Sequence, residues 1–396
     1  MLETLGNRTS IPFCIVFADG SEYRNRDAAP AFTLHFRTRG AERNLATFGH
    51  VALFESYFSG DVVVHGDFSL ALRAAFDAGL DNDANPLIGV CNRWHECRFS
   101  NRTVRQAKAN ACYHYDLGHP FFRLWLDRVG MMYTCAYWRE GTKSLEEAQT
   151  NKMDHVCRKV ALKPGESFVD IGCGFGGLLF HAWEHYGAAG TGINTATRQV
   201  AELRSELEKR QLHDKIKLIE CDFREIPGQY DKLLSIGTLE HAGRGQLQAV
   251  VRAHADALKP GGLGVIHFIG HVGDFETEYY IRKHIFPGGW IPSLARAIEY
   301  MEQSGLEVLD VENLRRHYAL TLDAWADRFD ANWEAIHALD PKRFDEHFRR
   351  KWRTYLWSCA EMFRSPQGQT HLFQVTVSKG NVGASHPMSR AHLYRA

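Results

Sequence analysis

The sequence predicts an α/β protein in which a parallel, doubly wound sheet follows a small α+β domain. Two observations carry that expectation. Strands alternate with helices from about residue 145 onward, and a glycine-rich turn follows the first of those strands. Such alternation needs crossover helices, which lay successive strands parallel. A chain of 396 residues has room for about two to three domains.

Segments 11–17 and 31–37 carry β-branched and aromatic residues, with the turn Asp19-Gly20 after the first. Segments 49–58 and 69–78 have the spacing of amphipathic helices around a short strand, Val62-Val63-Val64. Residues 86–130 become rich in Asn, Arg, His and aromatics, with a polar helix over 101–111. They read as a connector that helps build the active site. Strands then fall at 167–171, 190–194, 216–220, 230–236 and 264–269, with helices at 178–185, 199–211 and 247–258. The end of the chain is polar and carries Gly, Ser and Pro, the composition of a flexible tail. The expected division is therefore 1–100, 101–380 and a tail over 381–396.

Composition narrows the function classes. Lys+Arg and Asp+Glu both number 47. A nucleic-acid partner is not expected, because phosphate binding leaves a basic excess. Nine cysteines without a CxxC pair suggest a reducing compartment. The opening MLETLGNRTS lacks a charged stretch followed by an apolar run, so no signal peptide is expected. No apolar stretch reaches the ~18 residues of a membrane span. No metal is expected: HExxH and comparable spacings are missing, and His95 with Cys97 is the nearest candidate pair.

The glycine turn reads Val169-Asp170-Ile171-Gly172-Cys173-Gly174-Phe175-Gly176-Gly177. Glycines between a strand and its helix let backbone approach a ligand closely. A dinucleotide enzyme places an acid at the end of the second strand, where this chain has Gly192-Ile193-Asn194. The wording Asp-Ile-Gly-Cys-Gly resembles the first motif of class I S-adenosylmethionine (SAM) methyltransferases, whose turn faces the amino-acid part of SAM.

Further segments sharpen the resemblance. They are His114-Tyr115-Asp116-Leu117-Gly118, Met132-Tyr133-Thr134-Cys135-Ala136-Tyr137-Trp138, Leu239-Glu240-His241, Ile266-His267-Phe268-Ile269-Gly270, Phe286-Pro287-Gly288-Gly289 and His317-Tyr318-Ala319-Leu320. Together they look like the cyclopropane-fatty-acyl-phospholipid synthase family, which includes the mycolic acid cyclopropane synthases. The resemblance covers roughly 10–380 and is strongest over 110–330. It implies a Rossmann-like SAM methyltransferase domain behind a small N-terminal lipid-binding domain. The implied reaction adds a methylene from SAM across the cis double bond of an unsaturated phospholipid acyl chain. The alkene attacks the methyl of SAM, and loss of a proton from that methyl closes the ring. Alignment, exclusion of water and a base are therefore required.

In the family that base is a bound bicarbonate. Its matching positions are Cys135, Glu240, His267, the backbone of Ile269, and Tyr318. Positions matching the SAM contacts are Tyr133, Thr134, Asp170, Gly172, Gly174, Thr195, Gln199, Asp222 and Phe223. Taken singly, Cys135, His267 and Tyr318 read equally well as core residues. Their joint occurrence favours the site. Thr134 stands where the family has Ser, His119 where it has Asn or Asp, and the turn at 128–130 is about one residue longer.

The Trp, Tyr and Phe residues of 279–300 and 318–363 suggest a helical subdomain, an acyl-chain tunnel and a surface that meets the bilayer. Arg349, Arg350, Lys351 and Arg353 are candidates for anionic headgroups or for a solvated helix face. The resemblance places the enzyme in the cytoplasm, peripheral to the inner face of the membrane, and suggests a homodimer. Two alternatives remain. One is a SAM-dependent C-methyltransferase that does not close the ring. The other is a lipid-binding homologue without catalysis.

Overall fold

The computed structural model describes residues 2–79, 85–384 and 386–394. Parts of the expected first domain (Met1 and 80–84) and of the expected tail (Ser385, Arg395 and Ala396) lie outside the described residues. The chain divides into two compact units. The first comprises Met1–Cys97, Glu278–Ile285 and Leu322–Gly368, the second Arg98–Thr277, Phe286–Thr321 and Gln369–Ala396. The break at 97/98 falls near the expected boundary at 100. The later segments of the first unit come from what the sequence suggested as one continuous domain over 101–380.

The first unit is built on a four-stranded sheet of β1 (Phe13–Val16), β2 (Glu22–Arg24), β3 (Phe32–Phe36) and β4 (Val62–Gly66), ordered β2-β1-β3-β4. Phe13, Ile15, Phe32, Phe36 and Val62 bury one face against Ala41 and Ala74 of two helices. The first helix, Arg39–Ser59, begins ten residues earlier than the apolar spacing suggests. Thr38 caps it by accepting from the Ala41 amide, and Gly49 breaks it with φ 65° and ψ −150°. Only the part after that break carries the periodic apolar pattern. The second helix, Phe68–Asp77, is capped by Asp67. Helix Glu346–Arg364 packs against both, and its buried Glu361 binds Arg73 at 2.8 and 3.0 Å.

The second unit holds a seven-stranded sheet. Its strands are β5 (Ser167–Ile171), β6 (Ala189–Asn194), β7 (Lys217–Glu220), β8 (Tyr230–Ile236), β9 (Leu258–His271), β10 (Leu306–Asn313) and β11 (Thr370–Lys379). The order is β10-β11-β9-β8-β5-β6-β7, and β11 runs antiparallel to both its neighbours. The five expected strands are present and mutually parallel. Strands β10 and β11 were not expected. Apolar side chains from helix Leu247–Asp256 and helix Leu294–Gln303 cover part of the sheet. Residues of helix Leu145–Lys159 and helix Gly177–Tyr186 form a second apolar cluster.

The tail differs from expectation over its described part. Ala391–Tyr394 forms a helical turn, Leu393 is buried, and Arg390 pairs with Asp310. Among the described residues no helix is long and apolar enough to cross a membrane.

Candidate active site

The first half of the site grows from the end of β5. The amides of Gly172 and Cys173 both donate to the carbonyl of Ile193, at 2.8 and 3.0 Å, which pins the turn against β6. Gly172 has φ 74°, and a Cβ there would stand 2.5 Å from Cγ2 of Thr238, so the position requires glycine. Asn194 ends β6 and donates to the Gly174 carbonyl and to Gln199, each at 3.2 Å. Its Oδ1 accepts from the Ala196 amide. The side chain that stands where a dinucleotide enzyme has its ribose acid thus ties the glycine turn to the following helix.

Tyr133, Thr134, Asp170, Gly172, Gly174, Thr195, Gln199, Asp222 and Phe223 line one cavity. Asp222 is already engaged by Arg224, through Nε at 2.6 Å and a second nitrogen at 2.8 Å. Tyr115 and His241 line the same cavity and bond each other at 2.9 Å. Both belong to the quoted motifs, yet neither was assigned a role.

Helix Leu145–Lys159 holds the Tyr133–Thr134 segment in place. Gln149 donates to the Thr134 carbonyl at 2.9 Å, and Lys152 Nζ donates to Thr134 Oγ1 at 2.9 Å. Lys152 is fully buried, and burial pushes its pKa down to about 8 against the opposing pull of Asp127, Cys135 and Asp170. Burial pushes Asp170 up to about 7, with Lys152 opposing. Lys152 is not among the expected site residues, and the helix that carries it is not among the expected helices. The longer turn at 128–130 is held by buried Asp127, which accepts from the amides of Gly130 and Met132, both at 2.7 Å.

The second half is built on β8, β9 and β11. Glu240 Oε1 accepts from the Ile269 amide at 2.6 Å. Its Oε2 is buried without a hydrogen-bond partner, and burial raises the carboxyl to about 7. His267 lies two residues before Ile269 on β9, paired across to Ile236 and Gln374. Gln374 Nε2 faces His267 Nδ1 at 3.1 Å. With the amide nitrogen so oriented, Nε2 of the ring carries the proton, and that atom is buried without a partner. Burial drives the His267 pKa well below its usual value, so the ring is a neutral donor.

Cys135 is buried and its thiol is pushed well up, so it stays protonated. Helix Arg315–Ala331 positions its segment. Thr321 Oγ1 accepts from the Ala136 amide at 3.1 Å and from the Trp138 indole at 3.0 Å, and His317 accepts from the Trp138 amide at 2.9 Å. Tyr318 sits on that helix one turn before Thr321 and is buried. Glu240 and Ile269 are thus in direct contact, and His267 precedes Ile269 on the same strand. Cys135 and His267 share the Lys152 charge. Tyr318 is placed by its helix. The two halves adjoin: the Gly237 amide, in the cavity lining, donates to the His267 carbonyl at 2.7 Å.

The residues suit a cation on one side and a small polar ion on the other. Buried Asp170 favours a positively charged ligand such as SAM. The orphaned acceptor on Glu240 and donor on His267 match an ion that both accepts and donates, as bicarbonate does. Among the described residues, no group of three His, Cys, Asp or Glu could hold a metal. His95 instead packs edge-on against Tyr279, 6.0 Å between centroids.

A seven-stranded sheet with the glycine turn at the end of β5 and a cavity beneath it defines a class I SAM-dependent methyltransferase. Residues 102–375 match the family model described as mycolic acid cyclopropane synthetase. A probable fatty acid methyltransferase of Pseudomonas putida is 34% identical over 347 residues, covering 82% of this chain and 86% of that protein. The cyclopropane-fatty-acyl-phospholipid synthase of Escherichia coli K12 is 31% identical over 340 residues, 84% of each chain. The crystal structure of a mycolic acid cyclopropane synthase complexed with SAH and CTAB is 30% identical. It superimposes with a TM-score of 0.63 over 69% of this chain and 98% of that one. The chain belongs to the cyclopropane synthase family of SAM-dependent methyltransferases.

Proposed function

We propose that the enzyme adds a methylene from SAM across the cis double bond of an unsaturated acyl chain in a phospholipid. The observation that carries this reading is the pair of buried, unpartnered atoms on Glu240 and His267, two residues outside the cavity lining but tied to it where the Gly237 amide donates to the His267 carbonyl. In this reading Tyr133, Thr134, Asp170, Gly172, Gly174, Thr195, Gln199, Asp222 and Phe223 hold SAM. Cys135, Glu240, His267 and Tyr318 hold bicarbonate, and the Ile269 amide serves the same site by fixing the Glu240 carboxyl to which it donates; the ion supplies the base that receives the methyl proton. His267 donates as a neutral ring. Glu240, titrating near neutrality, orients by accepting or donating. Tyr133, in the cavity lining, is backed by buried Trp125 and Phe122 at 5.1 and 5.5 Å between ring centroids, and its ring suits a developing cation. The balance is one alkene plus the SAM methyl giving one ring, S-adenosylhomocysteine and one proton.

The first unit serves in the same reading as a lipid-binding domain. The enzyme works in the cytoplasm as a homodimer, peripheral to the inner face of the membrane. A second reading, methylation without ring closure, draws support from the 34% identical relative named as a probable fatty acid methyltransferase. Incubation with SAM and vesicles of unsaturated phospholipid separates the readings. A gain of one CH₂ that resists hydrogenation supports the ring, and a hydrogenatable product supports simple methylation. An unchanged acyl mass leaves the non-catalytic lipid-binding alternative.

A further inference from the structure

One helix, which belongs to the first unit as far as Cys97, is folded inside out. Helix Pro86–Arg98 is started by Asn85, whose Oδ1 accepts from the Leu87 amide at 3.0 Å. The Asn85 amide donates to the Thr47 carbonyl at 2.7 Å. The inward face of this helix is polar. Asn92 and His95 are buried, and Arg282, only 1% exposed, donates to Asn92 at 2.9 Å and pairs with Glu96 at 3.3 Å. The outward face is apolar: Leu87 is 53% exposed, Val90 70% and Trp94 66%. They fall at i, i+3 and i+7, a single stripe. Phe48, next to Thr47, is exposed too. A water-facing helix of a globular protein has the opposite arrangement, so this face is built for an apolar surrounding.

Charge identifies which surrounding. The helix's other exposed positions include Arg93 and Arg98, and none of the exposed positions is acidic; its single carboxylate, Glu96, pairs with Arg282. Aliphatic residues, a tryptophan and arginines on one face are the pattern of a helix lying in a bilayer interface. A second copy of the same face would bring arginine against arginine. Arg349, Arg350 and Arg353 are less suited to the task, because they are paired within the unit, and Lys351 lies over the Phe348 ring. Arg349 and Arg350 bind Glu346, Arg350 also donates to the Tyr57 carbonyl, and Arg353 binds Asp330.

We propose that the exposed face of helix Pro86–Arg98 docks on the surface of an anionic phospholipid bilayer, with Leu87, Val90 and Trp94 in the interface and Arg93 and Arg98 on the headgroups. This rests on the proposed function only in looking to lipid; no turnover is required of it. The test is co-sedimentation of the full chain with vesicles of saturated phosphatidylglycerol, which offer no alkene to react, against vesicles of phosphatidylcholine.

The full chain is expected to bind phosphatidylglycerol in a salt-sensitive way and phosphatidylcholine weakly. Arg93→Ser and Arg98→Ser each weaken partition about fivefold. The double variant Leu87→Ser/Trp94→Ser weakens it about tenfold or more. Thermal stability and binding of S-adenosylhomocysteine stay as in the parent, because the replaced side chains face solvent. Failure of the parent to bind phosphatidylglycerol overturns the proposal, as does unchanged binding by the variants. A variant that changes the sedimentation mass instead shows a protein contact and also overturns it. Vesicle binding without any acyl-chain product would sink the proposed reaction and leave the docking surface standing.

Discussion

Glu240→Gln tests the base half of the site in two independent ways. The first concerns stability. The carboxyl titrates near 7 in the fold against 4.5 ordinarily, because it is buried. Between those values the native chain binds more protons than the unfolded one, so stability falls as pH rises through the window from about 4.5 to 7. At 1.36 kcal/mol per pKa unit the loss is about 3 kcal/mol, complete above pH 7. Glutamine is neutral throughout and removes this term. Urea unfolding of both proteins at pH 5 and pH 8 is expected to show the variant losing about 2.5 kcal/mol less than the parent between those values, because a little of the total is already lost at pH 5. Parallel pH profiles would mean that this carboxyl is not buried in its charged form.

The second concerns turnover. Glutamine can still accept from the Ile269 amide but cannot exchange a proton. Turnover on unsaturated phospholipid, followed by acyl-chain mass, is expected to fall about 10²- to 10⁴-fold. Binding of S-adenosylhomocysteine by calorimetry should change by less than about twofold, because Glu240 is not among the residues lining the cavity. Parental turnover in the variant would remove Glu240 from the mechanism.

Gly177→Ala would place a Cβ 2.2 Å from the carbonyl oxygen of Gly130 and 2.6 Å from its Cα. Overpacking against backbone should cost about 2–3 kcal/mol in thermal unfolding, and an unchanged melt would show that the 128–130 turn yields freely. Lys152→Met removes the donor to Thr134 and the counter-charge of Asp170. Affinity for S-adenosylhomocysteine should fall about tenfold; an undiminished affinity would make Lys152 a packing residue only. Arg282→Met strips Asn92 and Glu96 of their buried partner. It is expected to destabilise the chain by about 3 kcal/mol in urea, and a loss below about 0.5 kcal/mol would show that water replaces it.

Of the five parallel strands, the inner ones were legible because strands covered on both faces read as apolar runs, as Phe168-Val169 and Val265-Ile266 do. Strand β11 was not, for a physical reason. Phe373, Val375 and Val377 alternate with Gln374, Thr376 and Ser378, yet both faces are buried. The polar face is turned inward, and through Gln374 it sets the tautomer of His267. The same inversion hid Lys152 and the helix Pro86–Arg98. Polar residues in a polar helix read as solvated, and only tertiary packing shows them buried. The nine SAM-contact expectations fall in one cavity: Asp170, Gly172, Gly174, Thr195, Asp222 and Phe223 lie at the ends of β5, β6 and β7 or just beyond them, Gln199 is in the helix after β6, and Tyr133 and Thr134 are held there by helix Leu145–Lys159. The expected flexible tail missed Leu393, one buried side chain in a polar context.

What separates ring closure from simple methylation is the fate of one proton, and the protonation states limit who can take it. His267 is a neutral ring whose bare nitrogen, Nδ1, faces Gln374, so the atom turned elsewhere can only donate. Cys135 holds its proton because burial raises the thiol. Glu240 titrates near 7 and is the one carboxyl among the residues assigned to the ion. Either Glu240 accepts the proton itself, or it orients a bound ion that does. Turnover in buffer freed of carbon dioxide distinguishes them. Under the proposed function, activity falls in that buffer and returns when bicarbonate is added, with S-adenosylhomocysteine affinity constant throughout. Activity that persists undiminished would refute the bicarbonate assignment and make Glu240 the base. Its pH profile should then rise through about 7 as the carboxyl ionises.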